Sequence, residues 1–202
     1  MIQKKALIEL IQAELGSASD DGDEKFSYEV IEENVDLAFL EIVRQSELQG
    51  ASGPNSLLGA VSFPFSLTKQ HANGKDFVPL NPRPIMGTSS VTAVIGNQTG
   101  ENYGIRVNAA QVVIMSKLKA NGIAGTEVLQ NNLVFSKPIA DTDVTVYYVP
   151  TFKDVDDNFE ITLEGAEILI KDLVKARLAQ RIQYPQDTIN DGTEDTQRMT
   201  TN

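Results

Sequence analysis

The 202-residue chain has no cysteine, no tryptophan and a single histidine, and each shortage removes a class of chemistry. Without cysteine there is no disulfide framework, no thiolate-bound zinc and no cysteine nucleophile. His71 alone cannot supply a two- or three-histidine metal centre. Five Tyr and eight Phe make aromatics scarce, which weakens a sugar-stacking groove or a base-stacking platform. Positive charge is also short, with 17 Lys plus Arg against 28 Asp plus Glu, and a net charge of −11 opposes binding to phosphate backbones. No eighteen apolar residues run together, so the sequence predicts no membrane-spanning helix. The start, Met1-Ile2-Gln3-Lys4-Lys5, opens an amphipathic stretch and not an apolar h-region, which predicts no secretory signal.

What is present is enough chain for a real core, one that buries roughly 70% of the surface its unfolded form would expose. The first part, residues 1–56, reads as helical. Leu7, Leu10, Ile11 and Leu15 fall at three- and four-residue spacings from Ile2 to Leu15. After an acidic loop (Asp20-Asp21-Gly22-Asp23-Glu24), a second helix is predicted from a Ser27 cap to about Leu48. Ile31, Val35, Ala38, Phe39 and Ile42 would form its buried face, with Glu29, Glu32 and Glu33 at its positive end and Arg44 near its negative end. Gly50 to Ser56 closes this part.

From residue 57 to 161 the apolar period falls to two. Val61, Phe63, Phe65 and Leu67 alternate with small or polar residues, and Asn73-Gly74 before Phe77-Val78-Pro79-Leu80 signals a hairpin. Pro64 and Pro79 place these strands at a sheet edge. Further strands are predicted at Val91–Ile95, Tyr103–Val107, Gln111–Ser116, Leu133–Ser136 and Val144–Val149. Residues 162–184 return to helical spacing, with Ile170, Leu173, Val174, Leu178 and Ile182 as the stripe and bases in the later turns. Tyr184-Pro185 ends it. Residues 185–202 are polar: either an unstructured terminus or an arm that orders on a partner, with Tyr184, Ile189 and Met199 as anchors. The predicted class is therefore α+β: a helical bundle from the N-terminal helices and a long C-terminal helix, with an inserted small antiparallel β sandwich or barrel and a polar C-terminal arm.

Catalytic and ligand motifs read poorly. A Ser-His-Asp triad would need His71, which falls in a predicted turn where water is hard to exclude. Asp21-Gly22-Asp23 and Asp154-Val155-Asp156-Asp157-Asn158 are oxygen-rich, but the second has Phe159 where a calcium loop needs glycine and Gly165 where it needs glutamate. Gly96, Gly100 and Gly104 resemble a phosphate cradle without the Gly-Lys-Ser/Thr that one requires. Asn97-Gln98-Thr99 matches a glycosylation acceptor with no secretory route behind it. No carboxylate stands in an apolar sequence context that would raise its pKa for acid catalysis. The sequence thus predicts no catalytic residue, no cofactor and no metal.

The order of segments resembles the head-to-tail adaptor proteins of tailed bacteriophages. Three stretches carry the likeness: Asn34-Val35-Asp36-Leu37-Ala38-Phe39-Leu40-Glu41-Ile42-Val43-Arg44-Gln45; Phe65-Ser66-Leu67 with Asn73-Gly74 and Phe77-Val78-Pro79-Leu80; and Ile161-Thr162-Leu163-Glu164. Gly165 departs from the proline often found near there in the family. The Asn- and Thr-rich style is also similar to ring proteins of crAss-like phages. The resemblance implies a closed homo-oligomeric ring of about a dozen copies, stacked between the portal protein and the next tail or ring component. It implies a virion protein of the neck and tail, assembled in the host cytoplasm, with the C-terminal arm reaching into the portal. No sequence-specific nucleic acid or membrane partner is implied. The acidic second helix (Glu32, Asp36) and the basic last helix (Lys175, Arg177, Arg181) offer complementary faces between copies, with Asn73 at a hairpin tip, although the same charges can instead pair within one subunit. Alternative readings are another phage structural subunit, capsid-associated or of the tail tube, and a β-sandwich glycan-binding module.

Overall fold

A computed structural model describes residues 2–16, 26–49, 57–105, 125–161 and 166–183. The predicted strand Gln111–Ser116, the end of the predicted strand Tyr103–Val107, the loop Asp20–Glu24 and the terminus with Tyr184, Ile189 and Met199 lie outside these residues.

Helix α1 (Lys4–Gly16) buries Leu7, Ile8 and Ile11. It starts two residues later than its spacing predicts, because Ile2–Gln3 are extended as strand β1 and pair antiparallel with Glu160–Ile161. A two-residue strand has no period, and its partner lies at the far end of the β region, so local pattern could not reveal it. Helix α2 (Tyr28–Leu48) buries Ile31, Val35, Ala38, Phe39, Ile42 and Val43 at helical spacing. Ser27 holds the N-cap position in extended conformation, though its side chain makes no cap hydrogen bond. A short helix α3 (Leu57–Ala60) leads into the strands. The last helix, α4 (Ala166–Gln183), buries Ile170, Val174 and Leu178, one per turn on one face.

The strands are β2 (Phe63–Thr68), β3 (Gln70–Ala72), β4 (Lys75–Pro79), β5 (Val91–Gly96), β6 (Gly104–Ile105), β7 (Gly125–Leu129), β8 (Asn132–Phe135), β9 (Asp143–Tyr148) and β10 (Glu160–Ile161). They form three sheets: β1-β10, β2-β9-β5 and β3-β4-β8-β7-β6. The Asn73-Gly74 turn is present, with φ of 52° and 73° at its two residues, but it joins β3 to β4. The alternating run Phe63–Thr68 pairs instead with β9, Phe63 opposite Tyr148 and Thr68 opposite Asp143. Pro64 sits on an edge strand, and Pro79 lies beyond the reach of the short β3. A second hairpin of the same geometry, β7–β8, turns at Gln130-Asn131 with φ of 49° and 62°. Lacking glycine, that turn carries no sequence signal.

The expected helical bundle with an inserted antiparallel sandwich or barrel is not what is found. Among the described residues the chain is a mixed α/β fold of four α-helices and three sheets. The helices have no core of their own: Leu7, Ile11, Val35, Phe39, Ile170 and Val174 pack in one cluster with Phe63, Val149, Phe152 and Ile161 from the β region. Phe39 meets Phe63 and Phe152 at ring-centroid distances of 6.5 and 5.8 Å. Nor is the β region uniformly antiparallel, since β6 and β7 run parallel. Hairpin links force antiparallel neighbours, whereas the connection from residue 106 to 124 is long enough for a crossover. The sheets enclose a second cluster, with Val78, Leu133, Phe135, Val144, Val146 and Tyr148 at its centre. Phe65 packs against both clusters, 4.5 Å from Tyr148 and 5.9 Å from Phe159 between ring centroids. At about 1.5 Å per residue, α4 is roughly 27 Å long and shorter than α2, so no dominant C-terminal helix organises the fold.

Candidate functional site

The residues singled out by sequence fall into four places. The first is the junction of the helices. Lys4 Nζ lies 2.6 Å from Glu32 Oε1 and donates to the Val155 carbonyl at 2.8 Å, with both side chains buried. Phe152 offers its ring face to the same ammonium at 5.3 Å. Glu14 takes Lys171 at 2.9 Å and Lys175 at 2.7 Å, and these two hydrogen-bonded ammoniums hold its carboxyl below the usual range. Lys175 is raised in return by its bond to Glu14. Arg177 reaches Glu41 at 2.6 Å, while its Nε is buried with no hydrogen bond among the described residues. Glu32, Lys175 and Arg177 therefore use their charge inside the subunit. Arg181 lies in α4, but its side chain is outside the described residues.

Asp36 is the second place. Its carboxylate receives the backbone N–H of Phe152 at 2.5 Å and of Lys153 at 3.4 Å, so it caps the 3₁₀ turn Phe152–Asp154. Burial lifts its pKa above the ordinary aspartate value, against the pull of those two N–H groups. This corrects the expectation that no carboxylate has such surroundings. Leu37 beside it and Leu40 one turn on line a cleft of about 380 Å³ with Asp36, Arg83, Pro84, Ile85 and Thr151.

The third is the glycine-rich turn after β5. Its amides do cradle an anion, but the anion belongs to the protein. Asp141 is fully buried and accepts from Gln98 N at 2.7 Å, Thr99 N at 2.9 Å, Thr99 Oγ1 at 2.7 Å and the Tyr103 hydroxyl at 2.5 Å. Burial alone would raise its pKa, yet the four donors outweigh it and hold the carboxyl far below the normal range. Tyr103 is pushed up by burial and by that carboxylate. A Cβ on Gly96 would overlap the Asp141 carboxyl, so this glycine is required by close approach.

The fourth is the face around the β3–β4 hairpin. His71 stands on β3, with Nδ1 2.7 Å from Asp76 Oδ1. Asp76 also accepts the Ile139 N–H at 2.9 Å and lies 3.5 Å from Lys69 Nζ. Its burial would raise its pKa, but the His71, Ile139 and Lys69 contacts prevail and lower it. The group fastens the hairpin to the segment before β9, and no serine completes a triad among its described contacts. Asn73 is exposed at the hairpin tip and lines a second cleft, of about 300 Å³, with Lys75, Phe77, Leu129, Gln130 and Val134.

The acids of the calcium-like stretch Asp154–Asn158 have partners within the chain. Asp154 receives Arg83 at 2.5 and 3.0 Å, Asp156 accepts Asn158 N at 2.9 Å, and Asp157 accepts the Tyr28 hydroxyl at 2.8 Å. Among the described residues no three His, Cys, Asp or Glu side chains come together to hold a metal, and no helix is long and apolar enough to cross a membrane. Sequence reading missed Lys4, Glu14 and Asp141. Lys4 did carry a signal, since a base in the first turn opposes the helix dipole and needs a reason. The chain matches no protein-family model and no curated protein sequence.

Proposed function

We propose that the chain is a structural subunit of a tailed-bacteriophage neck, a head-to-tail adaptor that forms a ring between the portal and the next tail component. The observation that carries this reading is how the first and last described helices are fastened to one core. β1 pairs with β10, Lys4 joins Glu32, Glu14 takes Lys171 and Lys175, and Glu41 takes Arg177. The residues from 184 to 202 thus continue from a helix fixed on both sides, with an extended reach of at most about 65 Å. That is the layout of a rigid base carrying a docking segment, and it agrees with the order of segments that resembles the adaptors. A net charge of −11 suits the wall of a channel that passes DNA without holding it, because like charges suppress adhesion.

The test is attachment to portal rings, followed by co-sedimentation. The full chain should attach, and deletion of Gln186–Asn202 should abolish attachment while leaving the unfolding midpoint unchanged. A full-length chain that binds no portal ring contradicts the reading, and a truncated chain that attaches normally removes the arm from it.

A further inference from the structure

Glu32, Glu41, Lys175 and Arg177 are paired within the subunit, and two other surfaces on this chain match each other. Leu48, at the C-terminal end of α2, is 88% exposed, the most exposed large apolar side chain among the described residues. Beside it Glu47 stays exposed, its only described partner being the Ser89 hydroxyl at 2.9 Å. The second surface is the outward face of the five-stranded sheet. Strand alternation sends Val78, Leu133 and Phe135 inward and leaves Phe77 and Val134, paired across β4 and β8, half-buried on the outside. Leu129, 49% exposed, extends that strip, and the 300 Å³ cleft runs along it between the two hairpin tips. Lys75 lines the cleft and makes no ion pair among the described residues.

We infer that copies of this chain join head to tail, Leu48 of one copy seating in the Phe77–Leu129–Val134 cleft of the next with its Glu47 against that copy's Lys75. The inference rests on the ring reading and names the surfaces that would build the ring. Knob and cleft have the same apolar character and opposite charge at their margins, and both are carried by one chain. When the knob and the cleft of one copy engage different neighbours, the contact is heterologous and repeats from copy to copy, closing into a ring where the rotation allows. Glu127 also lies on the outer sheet face, opposite Val134 and away from Lys75, so the positive end of the cleft is the Lys75 end.

The cysteine-free sequence makes the test direct. A Leu48→Cys/Leu129→Cys double variant of the full chain, oxidised with copper phenanthroline across a concentration series, should give a ladder of dimers, trimers and higher species on a non-reducing gel. Each single variant should stay monomeric, and circular dichroism should match the wild type. Independently, Lys75→Glu and Glu47→Lys should each weaken self-association about tenfold, and combining them should restore it. A dimer from Leu48→Cys alone, or dimers without a ladder from the double variant, would show a two-fold contact and overturn the head-to-tail arrangement. No cross-link while the wild type is imaged as rings would overturn this interface and leave the ring reading standing. No cross-link and no rings, with or without portal, would remove both.

Discussion

Replacing Asp141 with alanine should be among the most damaging single changes in the β region. The carboxylate is fully buried and accepts four hydrogen bonds, two from backbone N–H groups and two from hydroxyls. Alanine leaves four donors facing a small cavity. The hydroxyls can turn elsewhere, but the amides of Gln98 and Thr99 cannot. Each stranded donor costs about 1–3 kcal/mol, so the variant should lose roughly 3–5 kcal/mol, a large share of the stability of an ordinary domain. With a urea m-value of about 2–3 kcal/mol/M for a chain of this size, the midpoint should fall by roughly 1–2 M. Asp141→Asn keeps an acceptor for the two amides and should lose about half as much. The assay is urea unfolding followed by far-UV circular dichroism. The pH dependence gives a second handle. Because the folded carboxyl titrates far below its unfolded value, its contribution is complete above about pH 4 and fades as pH falls further towards the folded pKa. The gap between wild type and Asp141→Asn should therefore narrow only in strong acid. An Asp141→Ala midpoint within 0.3 M of wild type, a limit of about 1 kcal/mol on the same m-value, would refute the reasoning.

Gly96→Ala should be destabilising by about 1–3 kcal/mol through overlap with the Asp141 carboxyl, and much of that loss should vanish in an Asp141→Ala background, as a double-mutant cycle on unfolding midpoints would show. Lys4→Met strands the buried Glu32 carboxylate and should lower stability by about 3–5 kcal/mol, a fall in Tm of roughly 6–20 °C. The Lys4→Met/Glu32→Leu pair should recover most of it in the same scan. Equal losses in the single and double variants would mean that the ion pair is not what the site depends on.

What the sequence made legible was faces, and what it hid was partners. Helical spacing on α2 gave the buried side, Ile31 through Ile42, because a 3.6-residue period is a local property. Alternation from Phe63 to Leu67 gave a strand for the same reason, yet not its neighbour: β9 lies across most of the β region, and the nearby Asn-Gly turn pointed to the wrong pairing. Charge followed the same rule. The acidic and basic helices were visible as compositions, but whether Glu32 and Arg177 face another copy or their own chain depends on a fold that brings Lys4 and Glu41 beside them. The glycine pattern after β5 read only as a superficial phosphate cradle lacking its lysine, and the tertiary fold shows Asp141 accepting from the amides there. Leu48 and Leu129 carried no signal, because one apolar residue at an element's end looks like any other until the core leaves it outside.

Electron-microscopic imaging of the purified full-length chain, alone and mixed with portal rings, bears most directly on the central claim that contact between copies is what this protein provides. The account predicts closed rings of one rotational symmetry, seated on the portal. Particles that remain single copies at every concentration, with portal rings left bare, would contradict it.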